Sequence, residues 1–171
     1  LLADRGELDV VKFVSLLLGS FMITGAANII NQIAEKDLDA LMKRTEGRPL
    51  PTGKISVSEA VIFTLVLVTL GTLVMIVNVN PLAAWLSLLS LILYGFIYTP
   101  MKLKSPISVF IGAFPGAMPP LIGWAASAGE ITMGALLIFG VQFIWQFPHF
   151  WAVAWLGDED YRKAGMKMLP S

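Results

Sequence analysis

Asn31, Glu35 and Asp39 stand four residues apart at the end of a long apolar run. Each step of four turns a helix by only about 40°, so the three side chains share one face. Oxygen ligands gathered on one face suit a hard cation such as Mg²⁺, which commonly binds through one or two carboxylates together with substrate phosphates. Carboxylates are costly in hydrocarbon, and at a membrane boundary they mark a functional site by default. A solvated helix end is enough to explain Asp37. It does not explain the trio, because their face runs back to Asn28 inside the apolar run.

Lys43, Arg44 and Arg48 follow, beside Gly47 and Pro49, which are expected to end the helix and turn the chain. These cations can meet phosphate oxygens, the arginines through a planar bidentate fork. Membrane topology alone also places cations at such a boundary, so by themselves they say little. A second acidic group, Asp158-Glu159-Asp160-Tyr161, reads in isolation as a solvated loop. Set opposite the first motif, it lets two carboxylate groups hold metal about a diphosphate. His149 is the single histidine and lies next to Pro148 among Trp145, Phe147, Phe150 and Trp151. It reads as a hydrogen-bonded packing residue or as a ligand, with the rings offering a stacking site for a flat aromatic molecule. The tryptophans equally suit a membrane interface.

The elements that carry these residues are apolar. The chain is 56% hydrophobic and 14% charged, where a soluble domain carries about 25% charge. Mean hydropathy is +0.75. Five runs nearly free of charge, Phe13–Ala34, Ala60–Val77, Leu82–Thr99, Ile107–Ala128 and Ile131–Leu156, reach or approach the roughly 20 residues that span a bilayer as a helix. Helices are the open-ended solution in lipid, so the fold class is an all-α, polytopic transmembrane bundle. Alternating sides puts Lys36, Lys43, Arg44, Arg48, Lys54, Lys102, Lys104, Arg162, Lys163 and Lys167 on one side, and Arg5 and Lys12 on the other. By the positive-inside rule the first side, with both acidic groups, is cytoplasmic. Net charge is zero, which gives no reason to expect nucleic acid as a partner, and the absence of cysteine excludes disulfides and thiolate sites. The Gly/Ala/Pro-rich stretch Gly112–Trp124 either packs helices closely or opens a helix along a cavity.

The chain resembles the UbiA-type intramembrane prenyltransferases, and within them the haem-using branch. The resemblance rests on Asn31-x-x-x-Glu35-x-x-x-Asp39, Met42-Lys43-Arg44-Thr45 with Arg48-Pro49-Leu50, Tyr98-Thr99-Pro100-Met101-Lys102, Pro115-Gly116-Ala117-Met118-Pro119-Pro120-Leu121-Ile122-Gly123-Trp124, Trp145-Gln146-Phe147-Pro148-His149-Phe150-Trp151, and Asp160-Tyr161-Arg162-Lys163-Ala164-Gly165 with Met168-Leu169-Pro170. It implies transfer of a farnesyl group from farnesyl diphosphate to a vinyl group of haem B in the bacterial inner membrane, with Mg²⁺ as cofactor. It assigns Asn31, Glu35, Asp39 and His149 to catalysis, and Lys43, Arg44, Arg48 and Lys102 to the diphosphate. Glu35, Asp39, Asp158 and Asp160 would hold metal, and His149, Trp145 and Trp151 would hold haem. Residues 1–171 then form one transmembrane domain, incomplete at both ends, contributing five helices to a bundle of about nine. Two readings compete: a UbiA-type enzyme with a quinone-precursor or chlorophyll-type acceptor, and a transporter with Pro-broken helices around a midplane site.

Overall fold

A computed structural model of the chain describes residues 9–167. Arg5 and the segment Met168-Leu169-Pro170 lie outside the described residues. Helix α1 (Val10–Ala34) leads into the short α2 (Lys36–Asp39), and α3 (Val57–Asn78) and α4 (Pro81–Ile92) follow. A π-helical turn (Leu93–Tyr98) joins α4 to α5 (Thr99–Met101), and α6 (Ser108–Ala128), α7 (Met133–Leu156) and α8 (Asp158–Lys163) complete the order. Five helical spans are long and apolar enough to cross a membrane: Val10–Ala34, Val57–Asn78, Pro81–Met101, Ser108–Ala128 and Met133–Leu156. They coincide with the five apolar runs.

Polar residues set the helix ends. Asp9 accepts the Lys12 N–H at α1, and Ser56 with Glu59 forms a reciprocal capping box at α3. Asn80 caps α4 ahead of Pro81, and its Nδ2 donates to the Ala125 carbonyl at 2.9 Å. Lys12 Nζ reaches the Ser127 carbonyl at 3.5 Å. The start of α1, the α3–α4 turn and the end of α6 therefore share one end of the bundle, as alternation requires. Helices α1 and α3 touch at Gly19 and Gly71, where a Cβ on either would collide with Met75 or Met22. Small residues at such a crossing replace the hydrophobic drive that lipid does not supply.

Helix α6 stays helical through Pro115, Pro119 and Pro120. Pro120 has no N–H to offer the Gly116 carbonyl, and Gln146 Nε2 from α7 donates to that oxygen instead, at 3.2 Å. The stretch packs closely on α7, and Gly112, Pro115, Gly116 and Pro119 line a cavity, but the prolines do not open the helix. The outer faces are apolar, with Trp155 and Leu156 80% and 91% exposed, as side chains turned toward lipid would be.

Candidate active site

The chain breaks at Glu35, one residue beyond α1, instead of running on to Gly47 and Pro49 as the sequence suggests. The hydrogen-bond ladder survives the break: Glu35 N–H donates to the Asn31 carbonyl at 2.9 Å, and Asp39 N–H to the Glu35 carbonyl at 2.7 Å. The three side chains therefore keep a common face. After Asp39 the chain turns because the Thr45 hydroxyl takes the Asp39 carbonyl at 2.9 Å.

That face closes a polar cavity of about 170 Å³, lined by Asn31, Glu35, Asp39, Met42, Arg44, Arg48, Tyr94, Tyr98, Lys102, Tyr161 and Met166. Glu35 is 4% exposed, Asp39 0% and Lys102 7%. Arg48 Nη1 donates to Asp39 Oδ2 at 2.7 Å, and Lys102 Nζ lies 2.5 Å from Glu35 Oε1. Lys102 thus answers Glu35 Oε1, while Asp39 Oδ1 is buried with no hydrogen-bond partner. Burial pushes the Lys102 ammonium below its usual value, and the Glu35 carboxylate partly offsets this.

Asn31 reaches across to the π-helical turn, its Nδ2 donating to Thr99 Oγ1 at 3.1 Å. The Thr99 hydroxyl in turn donates to the Tyr94 carbonyl at 2.9 Å, which also accepts the Thr99 N–H across the widened turn. The C-terminal loop folds over the same mouth. Lys167 N–H donates to the Lys102 carbonyl at 2.7 Å, and Arg44 donates through its N–H to Asp160 Oδ2 and through Nη2 to the Tyr161 hydroxyl, both at 3.4 Å.

Asn31, Glu35, Asp39, Arg44, Arg48 and Lys102 thus come together. Other expected site residues do not. Lys43 is exposed and outside the lining. Asp158 pairs with Arg162 at 2.7 Å on α8 itself, Asp160 faces the Arg44 backbone, and neither lines the cavity. Among the described residues no three His, Asp or Glu side chains converge for a metal. The physical reason is local: i, i+4 pairing on α8 answers Asp158 and Glu159, and the Arg44 N–H donates to Asp160. His149 is exposed, with the Phe150 ring 6.0 Å from its own, and Trp145 and Trp151 are 58% and 46% exposed. These three line neither cavity described here.

Tyrosines were the residues the sequence left unassigned. The chain has three, and all three line this cavity. Lys102 Nζ lies 5.2 Å from the centre of the Tyr98 ring, and the Arg44 guanidinium 6.0 Å from that of Tyr161. For Tyr98 and Tyr161, their place in the motif segments Tyr98-Thr99-Pro100 and Asp160-Tyr161 was the available signal; Tyr94 lies in neither. A second, mostly apolar cavity of about 240 Å³ runs between α1, α4 and α6, lined by Ile23, Ala27, Asn28, Leu91, Tyr94, Gly112, Pro115 and Phe150 among others.

A helical membrane protein with a buried carboxylate–cation pocket at one end and an apolar cavity beside it is the class that fold and site define. The chain belongs to the UbiA prenyltransferase family, whose profile matches residues 1–171. It is similar to the protoheme IX farnesyltransferase of Cytophaga hutchinsonii, 54% identical over all of this chain and 60% of that protein. The protein of the same name from Christiangramia forsetii is 46% identical over 96% of this chain and 54% of its own length. That from Nitrosomonas eutropha is 43% identical over 99% and 57%. The chain therefore spans little more than half the length of these relatives. No solved structure matches it.

Proposed function

We propose that the protein carrying this chain transfers a farnesyl group from farnesyl diphosphate to a vinyl group of haem B, at the cytoplasmic end of a bundle in the bacterial inner membrane. The names of the relatives support the substrate pair. The observation that carries the reading is the pocket itself: two buried carboxylates, Glu35 and Asp39, face Arg44, Arg48 and Lys102 in one cavity, and Asp39 Oδ1 has no hydrogen-bond partner. A buried anionic oxygen without a partner calls for a cation, and the surrounding cations call for an anion; a metal-bridged diphosphate supplies both. Glu35 and Asp39 are the residues that would hold Mg²⁺, which when bound supplies neutralisation of the charge on the leaving diphosphate.

The chain's own groups do the rest. Arg44, Arg48 and Lys102 take phosphate oxygens with donors already fixed in place, so little reorganisation is needed as charge develops. Asn31, anchored on Thr99, holds the α1 end against the π-helical turn. The apolar cavity takes the isoprenoid chain and keeps water from the allylic cation. His149, Trp145 and Trp151 offer the porphyrin a ring-lined face on α7.

The test uses the full-length protein in detergent, given farnesyl diphosphate with haem B, with Mg²⁺ or with excess EDTA. Diphosphate release and the mass of a farnesylated porphyrin are measured. The expected result is product only with haem B and Mg²⁺ together. Turnover with a quinone-precursor ring but not with haem B would move the reading to another branch of the family.

A further inference from the structure

Among the described residues, Tyr94 is the one that lines both cavities. This inference rests on the transferase reading above. If the diphosphate occupies the polar cavity and the isoprenoid chain the apolar one, then C1, the carbon bonded to the leaving oxygen, lies where the two meet. We propose that Tyr94 is a catalytic residue whose ring faces C1 and stabilises the allylic cation formed there.

The surroundings suit the role. Tyr94 sits in the π-helical turn, and Thr99 binds its carbonyl twice, through N–H and through the hydroxyl at 2.9 Å. Gly95 packs so closely on Ile30 that a Cβ there would collide with it, which fixes the backbone against α1. Tyr98 stands beside Tyr94 with ring centroids 5.5 Å apart and planes tilted by 34°. Tyr94 is therefore half-buried, with its backbone fixed at the junction of the two cavities. The face of an aromatic ring attracts a cation more strongly when both are withdrawn from water.

In the reaction, the C1–O bond breaks and its electron pair stays on the diphosphate oxygen. The three-carbon allylic unit carries the positive charge against the ring. The vinyl π pair of the acceptor then forms the new C–C bond, and the charge passed to the acceptor is discharged by adding water and losing a proton to solvent. Tyr94 donates no atom and no proton. Its aromatic face, not its hydroxyl, is the working part.

The experiment compares full-length wild type, Tyr94→Phe and Tyr94→Leu. Steady-state farnesyl transfer gives kcat and KM. Binding of farnesyl thiolodiphosphate, whose bridging sulfur resists ionisation, gives affinity without chemistry. Tyr94→Phe should keep kcat within about threefold, and Tyr94→Leu should lose roughly 30-fold or more, as expected for a desolvated cation–π contact. Affinity for the thiolodiphosphate should stay within about threefold in both, because that ground state carries no cation. Wild-type kcat in Tyr94→Leu overturns the assignment. So does an equal loss in Tyr94→Phe, which would point to the hydroxyl, or a loss of thiolodiphosphate affinity in step with kcat, which would make Tyr94 a cavity wall. A wild-type protein that releases no diphosphate with any acceptor fails earlier, and takes the transferase reading down with it.

Discussion

Two acidic clusters lie at the same end of this bundle in opposite electrostatic states. Glu35 and Asp39 are buried with Lys102 and Arg48 in one pocket, and Asp39 Oδ1 has no hydrogen-bond partner. Asp158 and Glu159 lie on α8 and are answered within the helix by Arg162 at 2.7 Å and Lys163 at 2.8 Å. Lys163 holds the Glu159 carboxyl below its usual range, and Glu159 raises the Lys163 ammonium in return. Exposed pairs of this kind contribute little to stability. Carboxylate count does not distinguish the clusters, since both are acid-rich and both carry neighbouring cations. What separates them is whether burial leaves an anionic oxygen unanswered.

The contrast can be broken most directly through turnover. In the full-length protein, Glu35→Gln and Asp39→Asn should each lose at least about 100-fold in farnesyl transfer. Asp158→Asn should stay within about threefold, since its exposed pair adds little. Equal losses at the two clusters would erase the distinction and return α8 to the metal site.

Stability should separate the clusters next. Lys102→Met strands the Glu35 carboxylate, and removing one partner of a buried pair costs about 3 to 5 kcal/mol. Adding Glu35→Gln to Lys102→Met should recover most of that loss, as read by unfolding in detergent. Lys163→Met, on the exposed pair, should leave stability unchanged. A third effect, smaller again, probes the support that only the buried cluster has. Thr99→Val removes the acceptor of Asn31 and should cost about 1 to 3 kcal/mol, and Thr99→Ser should restore most of it. If Thr99→Val is neutral, the Asn31–Thr99 bridge is not what holds the motif in place.

Much of this was legible in the chain. The five spans follow from charge depletion over lengths that match a bilayer, and the structure places helices over all of them. Asn31, Glu35 and Asp39 read as one face because spacing in a helix is local geometry, and the break at Glu35 preserves it. The partners of that face were less legible. Lys102 stands 67 positions beyond Glu35, and no periodicity brings it there; packing of the π-helical turn on α1 does. Asp158 and Asp160 share the side of the first motif but line neither cavity, since position on one side of a membrane is not position in a pocket. The α8 sequence Asp158-Glu159-Asp160-Tyr161-Arg162-Lys163 contains its own i, i+4 answers, a signal that was present and outweighed by the acids.

The sequence by itself determined the solvent this chain lives in, the number of spans within it and the end at which its charges gather, because hydropathy and helical spacing act over a few turns of chain. Only the tertiary structure decided which charges are stranded, that Tyr94 borders both cavities, and that Gln146 takes the carbonyl freed by Pro120. Those outcomes depend on which distant helices meet and how closely, and on the water their contact excludes. That exclusion turns an acidic motif into a site.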